Sequence, residues 1–155
     1  MPPGLPPTRS ALIALAALQL TACGGADGPL SPSDEVEVLV AQARWAQQRP
    51  VHYRYESTVG CFCPPEFTQA IVAEVRNGVV VATRYANGQP TPFPSARLPI
   101  DSLFAQILKP GDHVERVEAT FDARYGYPRQ FRYFPKPTIA DGEYSVTITR
   151  FEPLP

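Results

Sequence analysis

The sequence predicts an α+β domain: an antiparallel sheet of up to six strands, in α-β-β-β-α-β-β-β order, with the helices packed on one face. Three observations carry this. Two segments, within residues 34–49 and 100–108, repeat apolar residues at helical spacing, whereas six others alternate with period two. Asn77-Gly78 and Asp141-Gly142 mark turns between strand segments, supplying residues that accept positive φ, and Asn87-Gly88 opens a proline-rich loop. Two αβββ units in series then suggest one sheet, although no sequence identity links the halves.

Ahead of this domain, Arg9 and the initiator amine precede the apolar run Ala11–Leu20, broken only by Gln19. Ten helical residues reach about half of a ~30 Å hydrocarbon core, so the run reads as the h-region of a signal peptide rather than a membrane span. Leu20-Thr21-Ala22-Cys23 follows and resembles a bacterial lipobox. Its small residues let a peptidase fit around the extended backbone, and the Cys23 sulfur is the atom that takes the diacylglycerol. The expectation is a signal peptide over 1–22, then acylated Cys23 (a palmitate-class anchor) and a Gly/Pro/Ser-rich tether over 23–33. A single α+β domain fills 34–155. By resemblance to enterobacterial sorting rules, Gly24 in place of Asp implies passage to the periplasmic face of the outer membrane.

Within the domain, Ser33-Asp34-Glu35 offers a cap and first-turn acids to a helix whose apolar stripe reads as Val36, Leu39, Val40, Ala43 and Ala46. Trp45 is expected beside that stripe as a core anchor. From Val51 the period is two, with Val51, Tyr53, Tyr55, Ser57 and Val59 on one face. Phe67–Arg76 and Val79–Tyr85 read as a hairpin about Asn77-Gly78. Ile100–Leu108 reads as a second helix with Asp101 as its cap, closed by Pro110-Gly111. Val114–Asp122, Pro128–Phe134 and Tyr144–Phe151 complete the strands, with Val117, Ala119 and Phe121 facing inward on the first of them.

Removal of residues 1–22 would leave thirteen Lys and Arg against fifteen Asp and Glu. With no basic excess to neutralise phosphates, nucleic acid is not an expected partner. No Gly-X-Ser-X-Gly elbow, phosphate loop, His-Glu-X-X-His or dinucleotide fingerprint occurs. The chain has two histidines and no evident catalytic cluster, which favours a non-enzymatic module without cofactor or metal.

The chain resembles a family of small bacterial lipoproteins known as domain of unknown function 6174. Trp45, "HYRYE", "CFCP", "RNGVVV", "IDSLFAQI", "TFDARYGYPRQFRYFP" and "IADGEYSVTITRFEP" carry the resemblance, over roughly Asp34 to Pro153. It implies a lipoprotein or secreted domain of no established activity, with no catalytic residues to transfer. Its most distinctive part is Tyr125-Gly126-Tyr127-Pro128. Tyr125 and Tyr127 read either as packing residues about a glycine turn or as an aromatic binding surface.

The candidate chemistry is Cys61-Phe62-Cys63. In an extended strand these two Cα atoms lie about 6.5–7 Å apart, at the limit for a disulfide, so a bridge requires a bend at Phe62. Gly60 before the pair and Pro64-Pro65 after it permit one. The pair reads foremost as an intramolecular Cys61–Cys63 staple, with free thiols, redox chemistry and a zinc site as the other readings. Zinc needs further ligands, and His52 lies roughly 30 Å away along a continuous strand. A Cys-X-Cys pair lacks the spacing and helix that depress a thiol pKa. The expected function is therefore a lipid-anchored envelope lipoprotein acting as a binding or structural module, with a protein or envelope partner. A thiol redox or redox-sensing lipoprotein is the alternative.

Overall fold

The computed structural model describes residues 28–92 and 97–155. The expected signal peptide, Cys23 and most of the tether lie outside these residues. The elements run α1 (Pro32–Gln48), β1 (His52–Cys61), α2 (Pro65–Thr68), β2 (Ile71–Arg76), β3 (Val79–Tyr85), α3 (Ile100–Leu108), β4 (Val114–Phe121), β5 (Pro128–Pro135) and β6 (Tyr144–Pro153). The fold is α+β with one six-stranded antiparallel sheet, ordered β3-β2-β1-β6-β5-β4. Two three-stranded meanders are thus joined where the first strand pairs the last, from Tyr53 opposite Pro153 to Cys61 opposite Tyr144.

The expected element order is interrupted. Phe67, read as the start of a strand, lies in the one-turn helix α2, because Pro64 and Pro65 cannot donate to a ladder while Pro65 suits a helix start. α2 buries no residue, so not every helix packs on the sheet. Asn77 and Gly78 hold φ values of 51° and 76° in the tight β2–β3 turn, as their residue types favour.

α1 departs from expectation in a more consequential way. Its buried residues are Val38, Ala41 and Trp45, while Val36, Leu39 and Val40 are 60%, 47% and 54% exposed. Ala43 and Ala46 are exposed as well. Trp45 decides the rotation, because its indole carries more apolar area than any other side chain on the helix. The helix also begins earlier than expected: Ser31, not Ser33, is the N-cap, accepting from the Asp34 N–H at 3.2 Å, with Pro32 in the first turn.

Val38, Ala41 and Trp45 join Ile100, Leu103, Phe104 and Ile107 of α3 and the inward side chains of the sheet in one core. Val117 is buried, and Ala119 and Phe121 pack on the core as read from their alternation. Tyrosines from the sheet tie α3 down. Pro99 has no side chain to cap that helix, and the Tyr53 hydroxyl instead accepts from the Ile100 N–H at 3.1 Å. The Tyr133 hydroxyl donates to the Gln106 carbonyl at 2.9 Å. Asp101 is not the cap; its carboxylate accepts from Arg49 at 2.6 Å, linking the end of α1 to the start of α3.

Candidate functional site

β1 ends at Cys61 and α2 starts at Pro65, which leaves Phe62, Cys63 and Pro64 to reverse the chain. The Cys61 and Cys63 Cα atoms lie 5.3 Å apart, inside the disulfide range and shorter than an extended strand allows, and the two residues are bridged. The bend therefore falls at Phe62. Both cysteines are partly buried, whereas Phe62 between them is left 83% exposed.

Phe62 stands at the rim of a groove of about 630 Å³, whose other walls include Cys61, Arg132, Ile139, Glu143 and Tyr144. Arg132 pairs with Glu143 at 2.7 Å across this surface, and Ile139 is 41% exposed. An exposed aromatic, a second apolar residue and a surface ion pair give the groove a mixed apolar and charged lining, unlike the predominantly apolar lining of a small-molecule pocket.

Behind the groove lies a buried polar layer. The Arg97 guanidinium donates from Nε to Ser57 Oγ at 2.8 Å, and from Nη2 to the Ser57 carbonyl at 3.2 Å and the Gln69 carbonyl at 3.4 Å. Burial lowers the Arg97 pKa, against the opposing pull of Tyr55 and Tyr144. Burial likewise raises Tyr144, with Arg97 working the other way. Tyr144 thus connects the groove wall to a buried cation. Alternation in the sequence puts Ser57 on the inward face, but Arg97 sits in a proline-rich loop with no periodicity to orient it, so the layer is not legible from pattern alone.

Tyr125 and Tyr127 lie at a second place. Both rings are half-buried and pack on Phe151, at centroid distances of 5.0 and 4.7 Å, and Tyr127 also meets Trp45 edge-on at 6.4 Å. Burial raises the Tyr127 hydroxyl, with Asp122 adding to the shift. The turn between them is organised by Asp122, whose Oδ1 accepts from the Arg124 and Tyr125 N–H groups at 3.0 and 2.7 Å. These contacts account for both tyrosines through packing. The structure does not bring them near Cys61 and Cys63, which sit at the opposite end of β6: Phe151 pairs with Tyr55, and Tyr144 with Cys61.

Phe62 is the candidate site element that pattern reasoning passes over. A signal was present: a large apolar residue between two cysteines that must bend toward each other is turned outward by that bend. Among the described residues, no group of three or more His, Cys, Asp or Glu gathers as metal ligands. Among them, too, no helix is long and apolar enough to cross a membrane.

The family model for DUF6174, a family of unknown function, matches residues 37–153. The chain belongs to the DUF6174 family. The match runs from the first turns of α1 to the last residue of β6, so it takes in the whole sheet, the Phe62 bend and the Tyr125–Pro128 turn. No curated protein and no solved structure matches the chain.

Proposed function

We propose that this DUF6174 protein is a lipid-anchored lipoprotein of a bacterial cell envelope, held through Cys23 at the periplasmic face of the outer membrane. Its domain is a non-enzymatic module that binds a protein partner at the Phe62 groove. The observation that carries the reading is the exposure of Phe62 between two bridged cysteines. An aromatic ring left in water offers a large gain on burial, and a short covalent ring has already removed much of the main-chain freedom that docking would otherwise cost. Rigid, exposed aromatic anchors of this kind dominate the energy of protein interfaces. The anchor is supported by the order Arg9, Ala11–Leu20, Leu20-Thr21-Ala22-Cys23 and by the polar spacer before Ser31.

Crosslinking in intact cells, followed by identification of what copurifies, tests the binding role by comparing the native chain with Phe62→Ser. A specific partner should appear with the native chain and be lost with the variant. Retention of that partner by Phe62→Ser would refute the groove. Intact-mass measurement tests the anchor separately, since the mature chain should begin at an acylated Cys23.

A thiol redox role is the second reading, favoured by the partial exposure of the Cys61–Cys63 pair at a strand end. It requires the bridge to open under mild reductant, with two alkylatable thiols gained per chain; a bridge that survives such treatment removes it.

A further inference from the structure

α1 carries two apolar stripes, and the fold uses only one. Val38, Ala41 and Trp45 face the core, whereas Val36, Leu39, Ala43 and Ala46 face solvent together with Val40. The solvent-facing residues follow the three-four-three spacing of a coiled-coil seam, with Val36 and Ala43 at one core position and Leu39 and Ala46 at the other. We infer that this face of α1 is a self-association surface on which α1 of a second copy of the chain docks antiparallel.

The charges flanking the seam select the occupant and the orientation. Glu35, just before Val36, and Arg49, fourteen residues later, hold equivalent flanking positions with Gln42 midway between them. When Val36 is set against the partner's Ala46 and Leu39 against the partner's Ala43, Glu35 comes opposite the partner's Arg49, and Arg49 opposite the partner's Glu35. The two glutamines meet near the twofold axis, and Val40 meets its own copy on the other flank. A parallel pair would instead bring like charges level with each other. Three acids in the first turns (Asp34, Glu35, Glu37) and no lysine anywhere on α1 also make an anionic lipid surface a poor occupant. Arg49 already pairs with Asp101, but both are well exposed, which leaves the other side of the guanidinium fork open to a second carboxylate.

The seam is short. Two copies would bury roughly 1,000 Å² in all, below a standard stable interface, so the dimer is reversible. Confinement of copies to one membrane would raise its population, but the surface itself does not depend on the anchor.

Sedimentation of the full chain in density-matched detergent micelles, over a concentration series, tests the inference. The native chain should show a reversible monomer–dimer equilibrium. Leu39→Asp, on the open face, should raise the dissociation constant by at least about tenfold. Glu35→Arg and Arg49→Glu should each weaken self-association, and an equimolar mixture of the two should recover it, because both cross-pairs are then attractive. A native chain that stays monomeric throughout overturns the inference, as does Leu39→Asp behaving like the native chain. Failure of the folded charge variants to recover on mixing overturns it too. Should Arg49→Glu unfold beside Asp101, the comparison of Leu39→Asp with the native chain still decides. A chain that is monomeric in micelles and needs Leu39 only to bind phosphatidylethanolamine vesicles also refutes self-pairing, placing lipid on this face instead.

Discussion

Gly126 lies against the backbone of α1 so closely that a Cβ placed on it would fall 2.4 Å from the carbonyl oxygen of Ala41. Arg44 Cβ and Trp45 N would each lie 3.0 Å away, and Gly126 itself holds φ at +85°. Two separate demands therefore fall on one residue: a left-handed backbone and the absence of a side chain. The neighbouring Arg44 fixes the same approach by donating to the Ala123 carbonyl at 3.1 Å. The β4–β5 turn is thus docked onto the first helix by its most distinctive sequence feature. Gly126→Ala should destabilise the fold by about 2–4 kcal/mol, combining backbone strain with displacement of α1. Urea unfolding should show the loss as a lower midpoint.

The rotation of α1 makes a second prediction, one that opposes neighbouring residues. Val38 is 1% exposed and Leu39 is 47% exposed. Val38→Ala should cost about 1.5–3 kcal/mol through lost burial and a residual cavity, while Leu39→Ala should change monomer stability by no more than about 0.5 kcal/mol. Trp45→Ala should cost about 3–5 kcal/mol. Denaturant midpoints measured at concentrations too low for association would rank the three, and a larger effect at Leu39 than at Val38 would reverse the assigned face.

These cases show what the sequence made legible. Strand periodicity read well because a period of two has only two answers, and Tyr53, Tyr55 and Ser57 all fall on the inward face. The Asn77-Gly78 turn read well because its φ values are set by residue type. The rotation of α1 did not. Its two apolar stripes compete, and counting residues favours Val36, Leu39, Val40, Ala43 and Ala46, whereas area favours the stripe holding Trp45. The bend at Cys61–Cys63, and with it the outward turn of Phe62, could be inferred from geometry, but whether the ring stays uncovered depends on β6 and the β5–β6 loop that line the groove. That is tertiary information.

Alkaline pH should unfold the protein in a definite window. Burial raises the hydroxyl of Tyr53 to about 12 and that of Tyr133 to about 12, and pushes Tyr55 up further still. In the unfolded chain these groups ionise near 10. Between those values the folded state keeps protons that the unfolded state has lost, so stability is fully present below pH 10 and falls as pH rises toward 12. Tyr53 would contribute a loss of about 2–3 kcal/mol by the top of that range, and Tyr133, which is less deeply buried and better screened by solvent, a smaller one. Phenolate absorbance should therefore appear for these tyrosines together with loss of circular dichroism. Their smooth titration near pH 10 in a folded protein would contradict the burial argument.

Removal of the disulfide should act locally. The bridge links residues two apart, so it excludes few conformations of the unfolded chain. Replacing Cys61 and Cys63 with Ser should shift global stability by less than about 1 kcal/mol. It should nevertheless raise hydrogen exchange around Gly60 to Phe62 and weaken any partner that depends on Phe62 being held outward. A large global loss would show that the bridge supports the β1–β6 pairing itself.

Arg97 makes the sharpest demand on the interior. It is 6% exposed, and its donors reach the hydroxyl and carbonyl of Ser57, a residue with no exposure at all. Arg97→Ala removes those donors and leaves the Ser57 hydroxyl and carbonyl without the guanidinium that now serves them, costing about 2–4 kcal/mol. Ser57→Ala alone should be milder, about 1 kcal/mol, since the guanidinium keeps the Ser57 and Gln69 carbonyls. The two effects should not add, because both variants delete the same Nε–Oγ contact, and a double-mutant cycle in urea would measure the coupling. Strict additivity would mean that Arg97 stabilises the fold through its other contacts, with Ser57 merely nearby. The groove supplies a second readout. Tyr144 forms one of its walls and feels the Arg97 charge, so removing that cation should raise the Tyr144 hydroxyl further. Alkaline titration followed at Tyr144 would register that rise even where the stability change is small.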